Sequence, residues 1–293
     1  MSIFNWFKQK EFIYKEHLSS TFPTIEFEMC FKLNSLKVSD ILSLVESPNI
    51  GYTLTRWIGG FGDMSLQEGI KKAMRINKHL FFEKCHLFYD DEMQNRLTIC
   101  PSGPKELPGC DRIIWKGEKG KLDLTLFEPF FKLNGFVCAY SFWQFDEFIQ
   151  NEVYLRNYEL KGIPVNKKKI YTKDGDKCIT IEGNPGRLRQ VRNMVLRSCW
   201  RMWFSNNYFE LIDKEKVEKF NYCNKNILTK NNVRFIELYP NPFESDNPEN
   251  RIIQKEFNNL VGIEELHKAC WDNYNPIGSL YDDSQDDDGK CWD

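Results

Sequence analysis

The sequence predicts an α+β fold: a mostly antiparallel sheet, built from hairpins, with packed helices. Three observations lead there. Residues 25–33 alternate apolar and polar side chains with a period of two. Asn-Gly and Asp-Gly turn signals fall between short apolar runs. Other stretches place apolar residues three and four apart, the spacing of a helix face.

In chain order, the first 20 residues are read as a short helix. Ile25, Phe27, Met29, Phe31 and Leu33 then alternate with Glu26, Glu28, Cys30 and Lys32, giving a strand with one buried and one wet face. Ser39 opens a helix over 40–46 that Pro48 stops. Residues 52–58 read as a second strand, broken by Gly59, Gly60 and Gly62. Ser65-Leu66-Gln67-Glu68 is a capping-box pattern, and its helix sets Leu66, Ile70, Ala73 and Met74 on one face. A strand pair follows around 89–99, turning near Asp90-Asp91.

Pro101-Ser102-Gly103-Pro104 and Pro108-Gly109 oppose regular structure and mark a boundary. The chain therefore divides into an N-terminal α+β domain, 1–104, a C-terminal α+β domain, 105–281, and an acidic tail, 282–293. The second domain opens with strands at 112–115 and 122–127. Strands at 130–133 and 136–140 flank Asn134-Gly135, the strongest short hairpin signal. A helix at 143–156 precedes a hairpin of 168–172 with 177–182, joined by Lys173-Asp174-Gly175-Asp176. Leu188, Val191, Val195, Cys199 and Met202 recur at spacings of 3, 4, 4 and 3, which predicts a helix over 187–203 with this stripe buried and its arginines wet. A helix at 213–220, a strand at 233–239 and helices at 249–260 and 263–271 complete the order.

Charge is unevenly spread. Residues 282–293 carry six Asp and one Lys, whereas 161–203 carry eleven Lys and Arg against three acids. Such asymmetry marks an anionic partner. Arg187, Arg189, Arg192, Arg197 and Arg201, with Trp292 in the tail, are the candidate partner-binding residues. The ten cysteines lie far apart without a C-x-x-C pair, and the N-terminus shows no signal peptide. The expectation is a reducing compartment, free thiols and no membrane.

No motif for nucleophilic catalysis or phosphate cradling occurs. His79, Cys85 and His86 lie close together, with Cys100 and Cys110 beyond, but a zinc site needs a second tight pair. No cofactor and no metal are expected. The enzyme alternative is a metal-dependent nuclease, with Asp146 preceding the triplet Glu159-Leu160-Lys161. A DNA-binding module would use Arg187, Arg189, Arg192 and Arg197, although direct nucleic-acid binding is not the favoured reading.

The Lys/Asn/Phe-rich texture, at about this chain length and without enzymatic motifs, resembles the phage anti-defence proteins that block the bacterial Gabija system. The likeness lies in length and general character, and no functional residue is carried across by position. It implies a non-enzymatic protein-binding inhibitor in the host bacterial cytoplasm. Several copies would assemble around the nuclease–ATPase defence complex and stop it from engaging DNA. An immunity protein that neutralises a toxin is the alternative binding function. Deleting 282–293 is expected to weaken self-association or target binding at low salt while leaving the fold intact, because exposed charge pairs are screened. Light scattering of the truncated and full chains at low and high salt checks this, and equal assembly at both salts would make the tail a solubilising extension only.

Overall fold

The computed structural model describes residues 22, 24–45, 55–59, 62–76, 85–88, 96–100, 109–118 and 124–272. Helices pack on a ten-stranded antiparallel sheet, so the chain is α+β. In chain order the sheet strands are β1 (Thr24–Lys32), β2 (Arg56–Gly59), β3 (Gly62–Ser65), β4 (Cys85–Phe88), β5 (Arg96–Cys100), β6 (Cys110–Glu118) and β7 (Phe136–Trp143). Two small hairpins follow, β8 (Ile170–Lys173) with β9 (Asp176–Ile179) and β10 (Arg189–Val191) with β11 (Met194–Leu196). The sheet resumes with β12 (Arg201–Phe204), β13 (Lys225–Leu228) and β14 (Arg234–Glu237). Its spatial order is β13-β14-β12-β7-β1-β6-β5-β4-β2-β3.

The helices are α1 (Val38–Val45), α2 (Leu66–Ile76), α3 (Gln144–Asn151), α4 (Leu155–Leu160), α5 (Lys214–Lys219), α6 (Pro248–Val261) and α7 (Ile263–Asp272). Among the described residues, none is long and apolar enough to cross a membrane. The capping box at α2 forms as expected, with Ser65 Oγ donating to Glu68 Oε2 at 2.8 Å. Asn247 caps α6, and Gly262, at φ 71°, turns the chain into α7. The Asp174-Gly175 turn, with both residues at positive φ, closes the β8–β9 hairpin where the sequence places it.

Strand β1 pairs with β6 from Thr24↔Glu118 to Lys32↔Cys110, and with β7 from Ile25↔Trp143. The division expected at 104/105 is therefore no boundary in the sheet: a strand from one side lies between two strands of the other. One sheet face carries Phe27, Met29, Phe31, Ile113 and Leu97 under Ile41 and Leu44 of α1 and the short 3-10 turns at Phe127 and Phe130. The opposite face carries Tyr140, Met202, Phe204 and Ile236 under Val195, Phe257 and Ile263. A third cluster joins Trp143 and Phe145 to Leu155, Tyr158 and Ile179.

Several expectations change. The second face of β1 is not wet: Glu28 and Cys30 are buried beneath the β10–β11 layer, and only Glu26 and the terminal Lys32 stay half-exposed. Leu124–Phe127 and Phe130–Lys132 are 3-10 turns, not strands, so Asn134-Gly135 closes no hairpin. Gly135 instead accepts the Lys32 N–H at 2.7 Å, and a Cβ there would overlap the Ser35 side chain. The helix expected over 143–156 divides into α3 and α4. The helix expected over 187–203 is absent. That segment forms β10, β11 and β12, although Val191, Val195, Cys199 and Met202 are buried as their spacing implies. Val195 offers its carbonyl to the Tyr140 hydroxyl at 2.9 Å, a bond that an α-helical carbonyl ladder would compete for. The readings of the first 20 residues, of Asp90-Asp91, of 101–104 and of the tail lie outside the described residues.

A buried ion network locks the layers. Arg197 donates to Glu147 of α3 at 2.5 Å, lies 3.9 Å from Glu28 and stacks over the Phe142 ring at 4.0 Å. Burial opposes its charge, but Glu147 and Glu28 hold its pKa above the ordinary arginine value. Burial also lifts the Glu28 carboxyl, while Arg112, at 3.0 Å, and Arg197 pull it back. Arg197→Met is expected to destabilise the fold by about 3–5 kcal/mol, because Glu28 loses one of its two cations inside the protein. Urea denaturation checks this, with Arg192→Met as the exposed control.

Candidate functional site

The five arginines predicted to form a wet binding face do not share one. Arg187, Arg189 and Arg197 are 2%, 7% and 2% exposed, Arg201 is half-buried, and Arg192 alone is exposed. The cause is local. A helix would fan these side chains outward, whereas the β10–β11 hairpin lies between the sheet and α7 and directs them into the protein. Arg189 donates through Nε and Nη2 to Glu264 of α7 at 2.8 and 2.6 Å. Arg201 donates to the buried Glu237 at 2.5 Å and lies over Trp200. Burial and repulsion from Arg189 lower the Arg187 pKa to about 10. Apart from Arg192, the wet part of the basic segment is lysine, at Lys167, Lys168, Lys169 and Lys177. Trp292 lies outside the described residues.

The nuclease set does not assemble either. Asp146 is buried, with Oδ1 accepting from Arg251 at 2.5 Å and Gln150 at 3.2 Å, and Oδ2 accepting from Gln254 at 3.1 Å. Its oxygens are committed to protein donors. Glu159 is exposed beside a shallow depression lined by Tyr154, Asn157 and Lys177, with Asp146 not among its walls. Lys161 lies over the Phe22 and Phe148 rings at 4.8 and 5.6 Å. Among the described residues, no three His, Cys, Asp or Glu side chains come together to hold a metal. Cys30, Cys100, Cys110, Cys138, Cys178, Cys199, Cys223 and Cys270 are free thiols.

The surface feature that stands out is the outer strand at one end of the sheet. Strand β13 pairs on one side with β14, through Lys225↔Glu237 to Leu228↔Arg234, and ends the sheet order. Ile227 and Leu228 are 51% and 54% exposed, and Tyr222 and Leu211 are exposed nearby in the chain. Inward from Ile227, its register partner Phe235 packs at 5.1 Å on Trp203, which stacks on Phe131 at 6.1 Å. The strand is firmly placed. Asn226 Nδ2 donates to the carbonyls of Val217 and Phe220 at 2.8 Å each, satisfying the end of α5 that the short helix leaves open. Arg234 reaches Glu218 at 2.8 Å from the neighbouring strand. Glu237 accepts from Asn224 and Arg201 at 2.5 Å each, with Lys225 at 3.5 Å.

An outermost strand presents backbone N–H and C=O groups along its open side, and proteins ordinarily guard such edges with lysine, proline or a bulge. Here Lys225 leans onto Glu237, leaving the apolar pair Ile227 and Leu228 at the surface. The sequence anticipates β14 within 233–239 but gives no sign of its partner, because Lys-Asn-Ile-Leu is too short to alternate. The chain matches no family model, no curated protein and no solved structure. Asn226→Ala is expected to speed amide exchange of residues 225–228 at least tenfold without changing exchange in β1, since three carbonyls of the α5 turn lose their shared donor. Unchanged exchange at β13 would show that the pairing with β14 alone fixes the strand.

Proposed function

We propose that this chain works by binding another protein rather than by catalysis, as an inhibitor of a bacterial antiviral nuclease–ATPase complex of the Gabija kind. The observation that carries the binding function is the apolar outer strand β13, which among the described residues pairs with β14 alone and is tied to α5 through Asn226. A pre-placed edge of this type recruits a partner strand by main-chain hydrogen bonds, with exposed apolar side chains adding contact area. The nature of the target rests on the likeness in length and composition to phage anti-defence proteins. Action in the host cytoplasm and as a homo-oligomer belongs to the same reading. Covering a much larger enzyme with contacting copies raises avidity without demanding one strong contact.

The test is co-purification with a reconstituted Gabija complex and a DNA-binding assay on that complex. Wild-type chain is expected to bind and to suppress DNA engagement. Ile227→Asp with Leu228→Asp is expected to weaken binding by about tenfold or more, equivalent to about 1.4 kcal/mol. Because both side chains are exposed, the pair should leave thermal stability within about 0.5 kcal/mol. Wild-type chain that neither binds nor inhibits would defeat the choice of target. A double variant that inhibits as well as wild type would defeat the choice of surface.

A further inference from the structure

Across the middle of the sheet, Glu26 on β1 stands opposite Lys116 on β6, which stands opposite Arg96 on β5. The three side chains share one face and all are half-exposed. Adjacent strands lie about 4.8 Å apart, so the row spans roughly 10 Å. Glu26 feels both cations, yet no salt bridge closes between them among the described residues. Lys161, from the end of α4, adds a further positive charge close to Lys116. Glu147 on α3 and Arg197, which follows β11, face Glu26 from the covering layer.

Most of this protein's half-buried and buried cations sit on a carboxylate: Arg112 on Glu28, Arg189 on Glu264, Arg201 on Glu237, Arg251 on Asp146. Arg96 and Lys116 break that pattern. They offer a planar fork and a compact ammonium side by side, with the Glu26 carboxyl at the end of the row next to Lys116. We propose that Arg96 and Lys116 bind a dianionic tetrahedral oxyanion, a free phosphate or the end of a phosphate monoester, in the row beside Glu26. A carboxylate would be satisfied by the Arg96 fork alone. A dianion matches two cations, and its further oxygens can accept from Lys116 and from a protonated Glu26.

Glu26 makes the site pH-sensitive. Burial first, then repulsion from Glu147, raises its pKa to about 7, against the pull of Lys116, Arg96 and Arg197. Below that value the carboxyl is neutral and can donate; above it, its charge repels the anion. The same shift bears on stability. A folded-state pKa above the ordinary carboxyl value makes the Glu26 contribution least favourable at high pH, with the loss building as pH rises from about 4.5 to about 7.

Isothermal titration of the full chain with sulfate tests the proposal, because sulfate stays dianionic across the range used. Sulfate affinity is expected to rise up to about tenfold from pH 8 to pH 6, following protonation of Glu26. Glu26→Gln should keep the pH 6 affinity, flatten the pH profile, and raise the melting temperature at pH 8 but not at pH 4.5. Arg96→Met and Lys116→Met should each abolish binding at pH 6, where Glu26 is protonated, with the melting temperature at that pH retained. Inorganic phosphate and glycerol phosphate then distinguish the sources: a preference for the ester indicates an organic phosphate ligand, and equal affinity indicates the free ion. No sulfate or phosphate binding by wild type would overturn the proposal. So would binding that survives both cation variants, a pH profile unchanged by Glu26→Gln, or duplex DNA binding without sulfate binding.

Discussion

A guanidinium with almost no access to water has to find its counter-charges inside the protein, and Arg197 finds them on two different elements. Glu147 belongs to α3 and Glu28 to the central strand β1, so one side chain ties the covering layer to the middle of the sheet. The tie is directional. Arg197 stacks on Phe142 while reaching both carboxylates, which fixes the segment after β11 against the sheet. From that anchor the β10–β11 hairpin lies flat and Val195 meets Tyr140. The chain then enters β12 beside β7, and β14 and β13 follow outward. The outer edge, where the binding surface is placed, is thus the far end of a series of pairings that begins at β1.

The same demand explains why charge is so unevenly used. Most buried and half-buried cations are matched to an acid brought from a distant part of the chain, such as Arg251 to Asp146 and Arg189 to Glu264. Matching of this kind contributes little net stability over an apolar pair but penalises any arrangement that breaks it. It selects one packing of the layers. The Glu26 row is one place where matching is incomplete, and the Ile227–Leu228 edge is one place where apolar cover is incomplete. They lie on different strands of the same sheet, so occupancy of one need not obstruct the other.

Local signals were legible wherever one element could satisfy itself. The Ser65–Glu68 box, the Asp174-Gly175 turn, α6 and α7 depend on neighbours within a few residues and form where the sequence places them. The segment 187–203 was not legible, because periodicity reports burial rather than conformation. Met194, Val195 and Leu196 are all enclosed, and a strand buried on both sides loses the alternation that separates it from a helix. Asn134-Gly135 misled for a different reason: the glycine is needed for close approach to Ser35. The arginines were misplaced with their helix. The candidate edge left no trace at all, since which strand lies outermost is a property of sheet order, and the order here departs widely from the sequence.

That order has a consequence for synthesis. Strand β1 ends at Lys32, but its two partners end at Glu118 and Trp143. At ordinary elongation rates a ribosome needs on the order of ten seconds to make the intervening chain. Until β6 has been made, Phe27, Met29 and Phe31 have no sheet to enter, and the nascent chain carries an unpaired apolar strand whose closure requires loops of some 80 residues or more. Such topologies fold slowly and stay exposed to aggregation while they do so. Until β6 and β7 have left the exit tunnel, the apolar face of β1 is therefore a site where the newborn chain is open to aggregation.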